Sequence, residues 1–227
     1  MECLSKRKST EVFLSLAAIL FVVFSYSSLF LDKGVVIDLG KEDGFFECLD
    51  FIFCLISALI FLAIFFNIKI TQKRNNYFYL ILGFLFLFGA AEEISWGQRI
   101  FEWPTPEFLK HNNIQGEITF HNLAILRRTA NKLFLLFSFF YCLLVPILDG
   151  FFNPFHKLAV KFDLPIAAIC VGLFFPINYG LSKFLEFYET GPLKGLHYPL
   201  MEIKECNLLF LWVLMSLYFF KKRLIAS

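Results

Sequence analysis

The sequence predicts an all-α, polytopic transmembrane helix bundle, and three observations carry that prediction. Of the 227 residues, 58% are hydrophobic and 19% aromatic, with 33 Phe. Only 18% are charged, against roughly 25% in an average soluble domain. The charges gather between long apolar runs, too many to bury inside a chain of 26.5 kDa, so the medium around those runs is a bilayer. The net charge of +2, with no glycine-rich phosphate loop and no basic-aromatic groove, argues against nucleic acid as a partner.

A helix crosses the hydrocarbon with about 20 mostly apolar residues. Segments 12–31, 45–68 and 77–97 meet this without help. Segments 133–152 and 164–181 meet it with interruptions at Pro146, Pro165 and Pro176, which spanning helices tolerate where neighbours or water satisfy the freed carbonyls. The last run, 207–220, has 14 residues and spans only if its helix extends back toward Tyr198 through Glu202, Lys204 and Glu205, giving a sixth span at about 200–220. The expectation is one membrane domain over 1–227, with six spans and an outer loop at 98–131.

Basic clusters orient it. Lys6, Arg7 and Lys8 precede the first span, Lys69, Lys73 and Arg74 lie between the second and third, and Lys221, Lys222 and Arg223 follow the sixth. The positive-inside bias puts all three in the cytoplasm, with both termini there and the protein in the cell (inner or plasma) membrane. The first run is long for a signal-peptide core, and an uncleaved helix is expected. Eleven Lys and Arg then lie inside with four acids, while ten face fifteen acids on the outer side. His111, His121 and His197 are also outside, so polar chemistry is expected at the outer face. The six cysteines form no C-x-x-C pair and read as small buried hydrophobes; Cys48 and Cys206 share the outer side, where one disulfide is compatible with the topology.

The third apolar run ends in Ala91-Glu92-Glu93-Ile94-Ser95-Trp96-Gly97-Gln98-Arg99. A carboxylate at the lipid boundary is costly without a partner and is by default a functional candidate. On a continued helix Glu92, Ser95, Trp96 and Arg99 share one face. Glu47 and Asp50 enter the membrane from the same side, one turn apart, so four carboxyl groups are expected to face one another. Unshielded, they repel strongly; protons, Arg99 or a metal must compensate. The alternative is a solvated helix end that pairs Glu92 and Glu93 with Arg99 and Arg127.

In the outer loop, Thr105-Pro106-Glu107 reads as a helix start with Thr105 as N-cap, predicting a short interfacial helix over 106–110 behind Phe101, Trp103 and Phe108. Gln115-Gly116-Glu117 then turns the chain, and Thr119-Phe120-His121-Asn122 is expected to open the fourth helix, directing His121 toward the ends of helices two and three.

The string Glu92 to Arg99, with Thr105-Pro106-Glu107, Asn113-Ile114-Gln115-Gly116-Glu117, His121-Asn122-Leu123 and the E-D-G-x-x-E segment Glu42 to Glu47, resembles a group of bacterial multi-pass membrane proteins of no established activity. The resemblance covers roughly residues 40 to 123. It implies a membrane protein and selects residues, but supplies no substrate, cofactor or reaction.

Three function classes follow. A membrane-embedded enzyme acting on a lipid or lipid-linked substrate would use Glu92, Glu93, Ser95 and His121 as catalytic groups, Trp96, Gln98, Arg99, Glu117 and Asn122 for substrate, and Glu47, Asp50, Glu93 and His121 for a divalent metal. No H-E-x-x-H or G-x-S-x-G motif accompanies them, and Ser95 lacks a sequence-local base. A cation- or proton-coupled transporter or channel would use the same acids, with a pore built within one chain or by homo-oligomerisation. The third class is a non-catalytic assembly or sensing subunit that contacts a partner through its acidic outer surface.

Overall fold

The computed structural model describes residues 2–73, 75–113, 116, 118–120, 123, 127–187 and 193–226. It is all-helical, 83% helix, with no strand among the described residues. Helices α1 (Glu2–Ser27), α2 (Lys33–Leu39), α3 (Phe45–Gln72) and α4 (Tyr77–Glu93) come first. Short helices α5 (Gln98–Phe101) and α6 (Glu107–Asn112) follow, then α7 (Arg127–Phe139), α8 (Val145–Phe151), α9 (Asn153–Lys161), α10 (Ile169–Gly172), α11 (Phe174–Phe187) and α12 (His197–Ala226).

Four helical stretches are long and apolar enough to cross a membrane: Lys8–Phe30, Phe45–Gln72, Thr129–Phe151 and His197–Arg223. The last does extend back through Glu202, Lys204 and Glu205, and it is the hub: 72% of its apolar window is buried by the rest of the chain, against 22% for Thr129–Phe151. Around it pack α3, α1 and α11, while α4 lies against α3. Trp212, Phe61, Phe86 and Phe219 are almost fully buried at the centre, with ring centroids of Phe61 and Phe86 5.8 Å apart and Phe86 and Trp212 5.1 Å apart. Outward-facing Phe13, Phe24, Phe66 and Phe84 are more than half exposed, as lipid-facing side chains are.

The expected third and fifth segments differ from uninterrupted spans. Helix α4 stops at Glu93 after 17 residues, because Ser95 and Trp96 adopt left-handed φ of 49° and 55°. Segment 164–181 opens non-helical over 164–168, around Pro165, and then breaks at Leu173 into α10 and α11, where Pro176 lacks the N–H that would reach back to the Gly172 carbonyl. Pro146 has a related effect in the α7–α8 stretch, where residues Phe140–Leu144 form a π turn that accommodates the missing N–H. A Cβ on Gly172 would lie 2.1 Å from the Cys142 carbonyl oxygen, so only glycine lets α10 sit against this turn.

Below the aromatic centre a polar tie closes the bundle. Arg223 at the end of α12 pairs with Asp163 at 2.8 Å and donates to the Tyr79 hydroxyl at 3.2 Å. Asn76 donates to the Asp163 carbonyl at 2.8 Å and to its carboxylate at 2.7 Å. Deeper in the core, Tyr26 donates to Asn178 at 2.9 Å, Ser25 donates to Asn207 at 2.8 Å and Asn178 donates to the Lys204 carbonyl at 2.8 Å, which pins α1 and α11 to each other and to the hub.

Candidate functional site

The E-D-G-x-x-E segment is a helix start. Asp43 is left-handed, with φ 57°, and Gly44 is the N-cap of α3. A Cβ on Gly44 would lie 2.5 Å from the Lys41 carbonyl oxygen, so the tight turn demands glycine. Glu47 reaches back to accept the Asp43 backbone N–H, one residue before the N-cap whose N–H a capping box would bind. Glu47 is thus engaged at the helix entrance, and Asp50, one turn deeper, is 2% exposed.

The E-E-I-S-W-G-Q-R string is a clamp on the following loop. Both oxygens of Glu92, itself 4% exposed, are used: Oε1 accepts the Trp96 indole N–H and Oε2 accepts the Phe120 backbone N–H at 2.7 Å. The expected common helical face of Glu92, Ser95, Trp96 and Arg99 does not form, because the left-handed run at Ser95, Trp96 and Gly97 ends the helix. Ser95 is fully buried, and the chain re-enters a helix at Gln98.

Gln98 completes the clamp. Its Oε1 accepts the Ile118 N–H at 2.7 Å and its Nε2 donates to Thr105 Oγ1 at 2.6 Å. Thr105, expected to cap a helix, instead donates to the Gly116 carbonyl at 2.7 Å; Pro106 is the N-cap, and α6 begins at Glu107 without a side-chain cap bond. The tertiary bond outcompetes the local one because it satisfies a backbone carbonyl in a fold-back loop. Asn113 donates to the Thr119 carbonyl at 2.7 Å and hydroxyl at 2.9 Å, and Trp96 meets Phe88 and Phe120 edge-on, with ring centroids 5.4 and 6.3 Å away. The fourth helix does not open at Thr119 or Phe120, which are not helical; α7 starts at Arg127.

The charge of Glu93 acts on Asp50, together with groups that the sequence did not single out. The charges acting on Asp50 are those of Glu93 at the end of α4, then Glu202 and Glu205 on α12, and the Cys206 thiol hydrogen-bonds to it. Glu202 feels Glu205, Glu93 and Glu47 and hydrogen-bonds with Tyr198. Asp50 Oδ1 and the Ser57 hydroxyl are buried with no hydrogen-bond partner. Glu202 and Cys206 were missed as site residues because their run served only to lengthen the sixth helix. A legible signal was present: Asp50 with Cys54, and Glu202 with Cys206, each form an i, i+4 acid–thiol pair on one helical face. The Cys48–Cys206 disulfide does not form; both thiols are free.

His121, Asn122 and Glu117 lie outside the described residues, and Arg99 is described only as a backbone position of α5. Among the described residues no group of three or more His, Cys, Asp or Glu side chains is placed to hold a metal ion. The proposed set Glu47, Asp50, Glu93 and His121 is therefore represented only by its three carboxylates, of which Asp50 and Glu93 share the cluster.

No family model matches the chain. Neither a curated protein nor a solved structure shows detectable similarity to it.

Proposed function

We propose that this is a six-span membrane protein whose outer-facing acidic centre, Asp50 with Glu93 and Glu202, binds the coupling ion of a cation- or proton-coupled transporter. The observation that carries the reading is the unpartnered Asp50 Oδ1, buried among carboxylates from three helices. Asp50 lies five residues into α3, about 8 Å along the axis, where a bare negative charge surrounded by others is unfavourable and calls for a positive occupant.

The six crossings comprise the four long stretches, α4 and the broken α10–α11 segment. Helix α4 has 17 residues, about 25 Å, short but extended by the buried clamp. Broken elements are a recurrent feature of transport folds. The basic clusters put both termini in the cytoplasm, and α6 lies along the outer interface, with Phe101, Trp103 and Phe108 exposed.

The enzyme reading ranks lower because Glu92 and Gln98, two of its candidates, are already engaged within the fold. Glu92 and Gln98 spend their hydrogen-bonding atoms on the loop, and Ser95 is fully buried. Those residues also carry the resemblance to the multi-pass group, and the reading assigns their string a folding role there. Reconstitution into vesicles tests the proposal: imposed proton or sodium gradients should dissipate with the wild type and not with Asp50→Asn or Glu93→Gln. Equal, protein-independent leakage for every cation tried would rule it out.

A further inference from the structure

Resting on that reading, we infer that the ion held at this centre is a proton, carried by Asp50 and exchanged through the Tyr198 and Glu202 end of the cluster. The groups acting on Asp50 or acted on by it are Cys54 on its own helix, Glu93 on α4, and Glu202, Glu205 and Cys206 on α12, while Glu47 acts on Glu202. On α2, Asp38 is already paired with Lys41 at 2.9 Å in an exposed position, and Glu205 has Lys204 at 3.7 Å and Asn131 at 2.9 Å. No cation is assigned to Asp50 by any of these contacts. Hard metal ions seek roughly six or more oxygen ligands at short range, whereas a proton needs one carboxylate oxygen, and Asp50 Oδ1 offers one.

A route is built in on one side. Tyr198 and Glu202 lie on the first turns of α12, with Tyr198 42% exposed and hydrogen-bonded to Glu202, whose charge reaches Asp50. Past Asp50 the strip extends on the same face of α3 to the unpartnered hydroxyl of Ser57 and stops. One turn further, Phe61 begins the aromatic plug, with Trp212 at 6.4 Å and Phe219 at 6.2 Å, all buried and none able to accept a proton. A hydronium ion at the outer surface releases its proton, an O–H bond forms on the Asp50 carboxylate, and a water molecule is left; nothing is oxidised or reduced.

Infrared titration of the full chain in lipid nanodiscs, in H2O and D2O, tests this. A protonated-carboxyl C=O band should titrate with pH, shift on deuteration, be lost in Asp50→Asn and persist at a shifted frequency in Asp50→Glu, which guards against misfolding of the amide variant. Hydrogen–deuterium exchange of that band should slow in Glu202→Gln and stay unchanged in Tyr79→Phe, at the far side of the plug. An unchanged band in Asp50→Asn, or equal slowing by both remote variants, overturns the inference. Sodium flux without any titrating carboxyl band would overturn the proton assignment and leave the transport reading standing, while neither flux nor band would end both.

Discussion

Glu92 binds the backbone N–H of Phe120, 28 positions further along the chain, at 2.7 Å. One carboxylate thus fixes both the end of α4, through Trp96, and the return of the loop that follows it. Replacing Glu92 by Ala removes two charge-assisted bonds and strands a backbone donor, at a cost of about 3 kcal/mol. Thermal unfolding in detergent and faster protease cleavage within the loop should both report it. Glu92→Gln keeps two polar atoms and should lose less.

The Asp163 and Arg223 pair at 2.8 Å joins the α9–α10 connection to the end of α12 and shares Asp163 with Asn76. Both partners are partly shielded, with 28% and 19% of their side chains exposed. A double-mutant cycle of Asp163→Ala and Arg223→Ala should show coupling of about 1 kcal/mol, as expected within one connected network. Strict additivity would mean that the tie contributes nothing.

Gly172 meets the Cys142 carbonyl where a Cβ would stand at 2.1 Å. Gly172→Ala must push α10 off the π turn and should destabilise by about 1–3 kcal/mol, while Gly180→Ala, with no neighbour within reach of a Cβ, should be neutral or stabilising in the helix interior. Melting temperatures of the two variants check the contrast.

Cys48 is exposed, whereas Cys54, Cys142 and Cys206 are buried. A membrane-impermeant maleimide added to the outside of intact cells should label Cys48 when it is the only cysteine left, and should not label Cys206 before denaturation. Labelling of Cys48 only after the membrane is permeabilised would reverse the topology.

Burial works to raise the Glu186 carboxyl, but the hydrogen bond and charge of Lys183, followed by the charges of His197 and Lys204, outweigh it and hold the group below the ordinary carboxylate range. A depressed folded-state value means stability that is present above the unfolded carboxylate range, near pH 4–5, and is lost as pH falls through the lower folded value. Glu186→Gln should therefore flatten the acid limb of the stability curve below about pH 4 and lower stability slightly at neutral pH, as a partly exposed pair should. Melting temperature against pH in both proteins is the measurement.

The sequence by itself determined the medium and the helical class, because the hydrophobic effect acts on composition and run length: the segments around 45–68 and 12–31 could not be hidden by 227 residues and emerge as long apolar helices. It also marked Glu92, Glu93 and Asp50 as carboxylates set against apolar surroundings. Only the tertiary structure decided their roles. Whether Thr105 caps a helix or ties Gln98 to Gly116 depends on a loop folding back, and whether Glu92 is available or spent depends on the position of Phe120. Glu202 joins Asp50 because α12 lies along α3, a side-by-side register that no local pattern encodes: interhelical packing is chosen by the fit of whole faces.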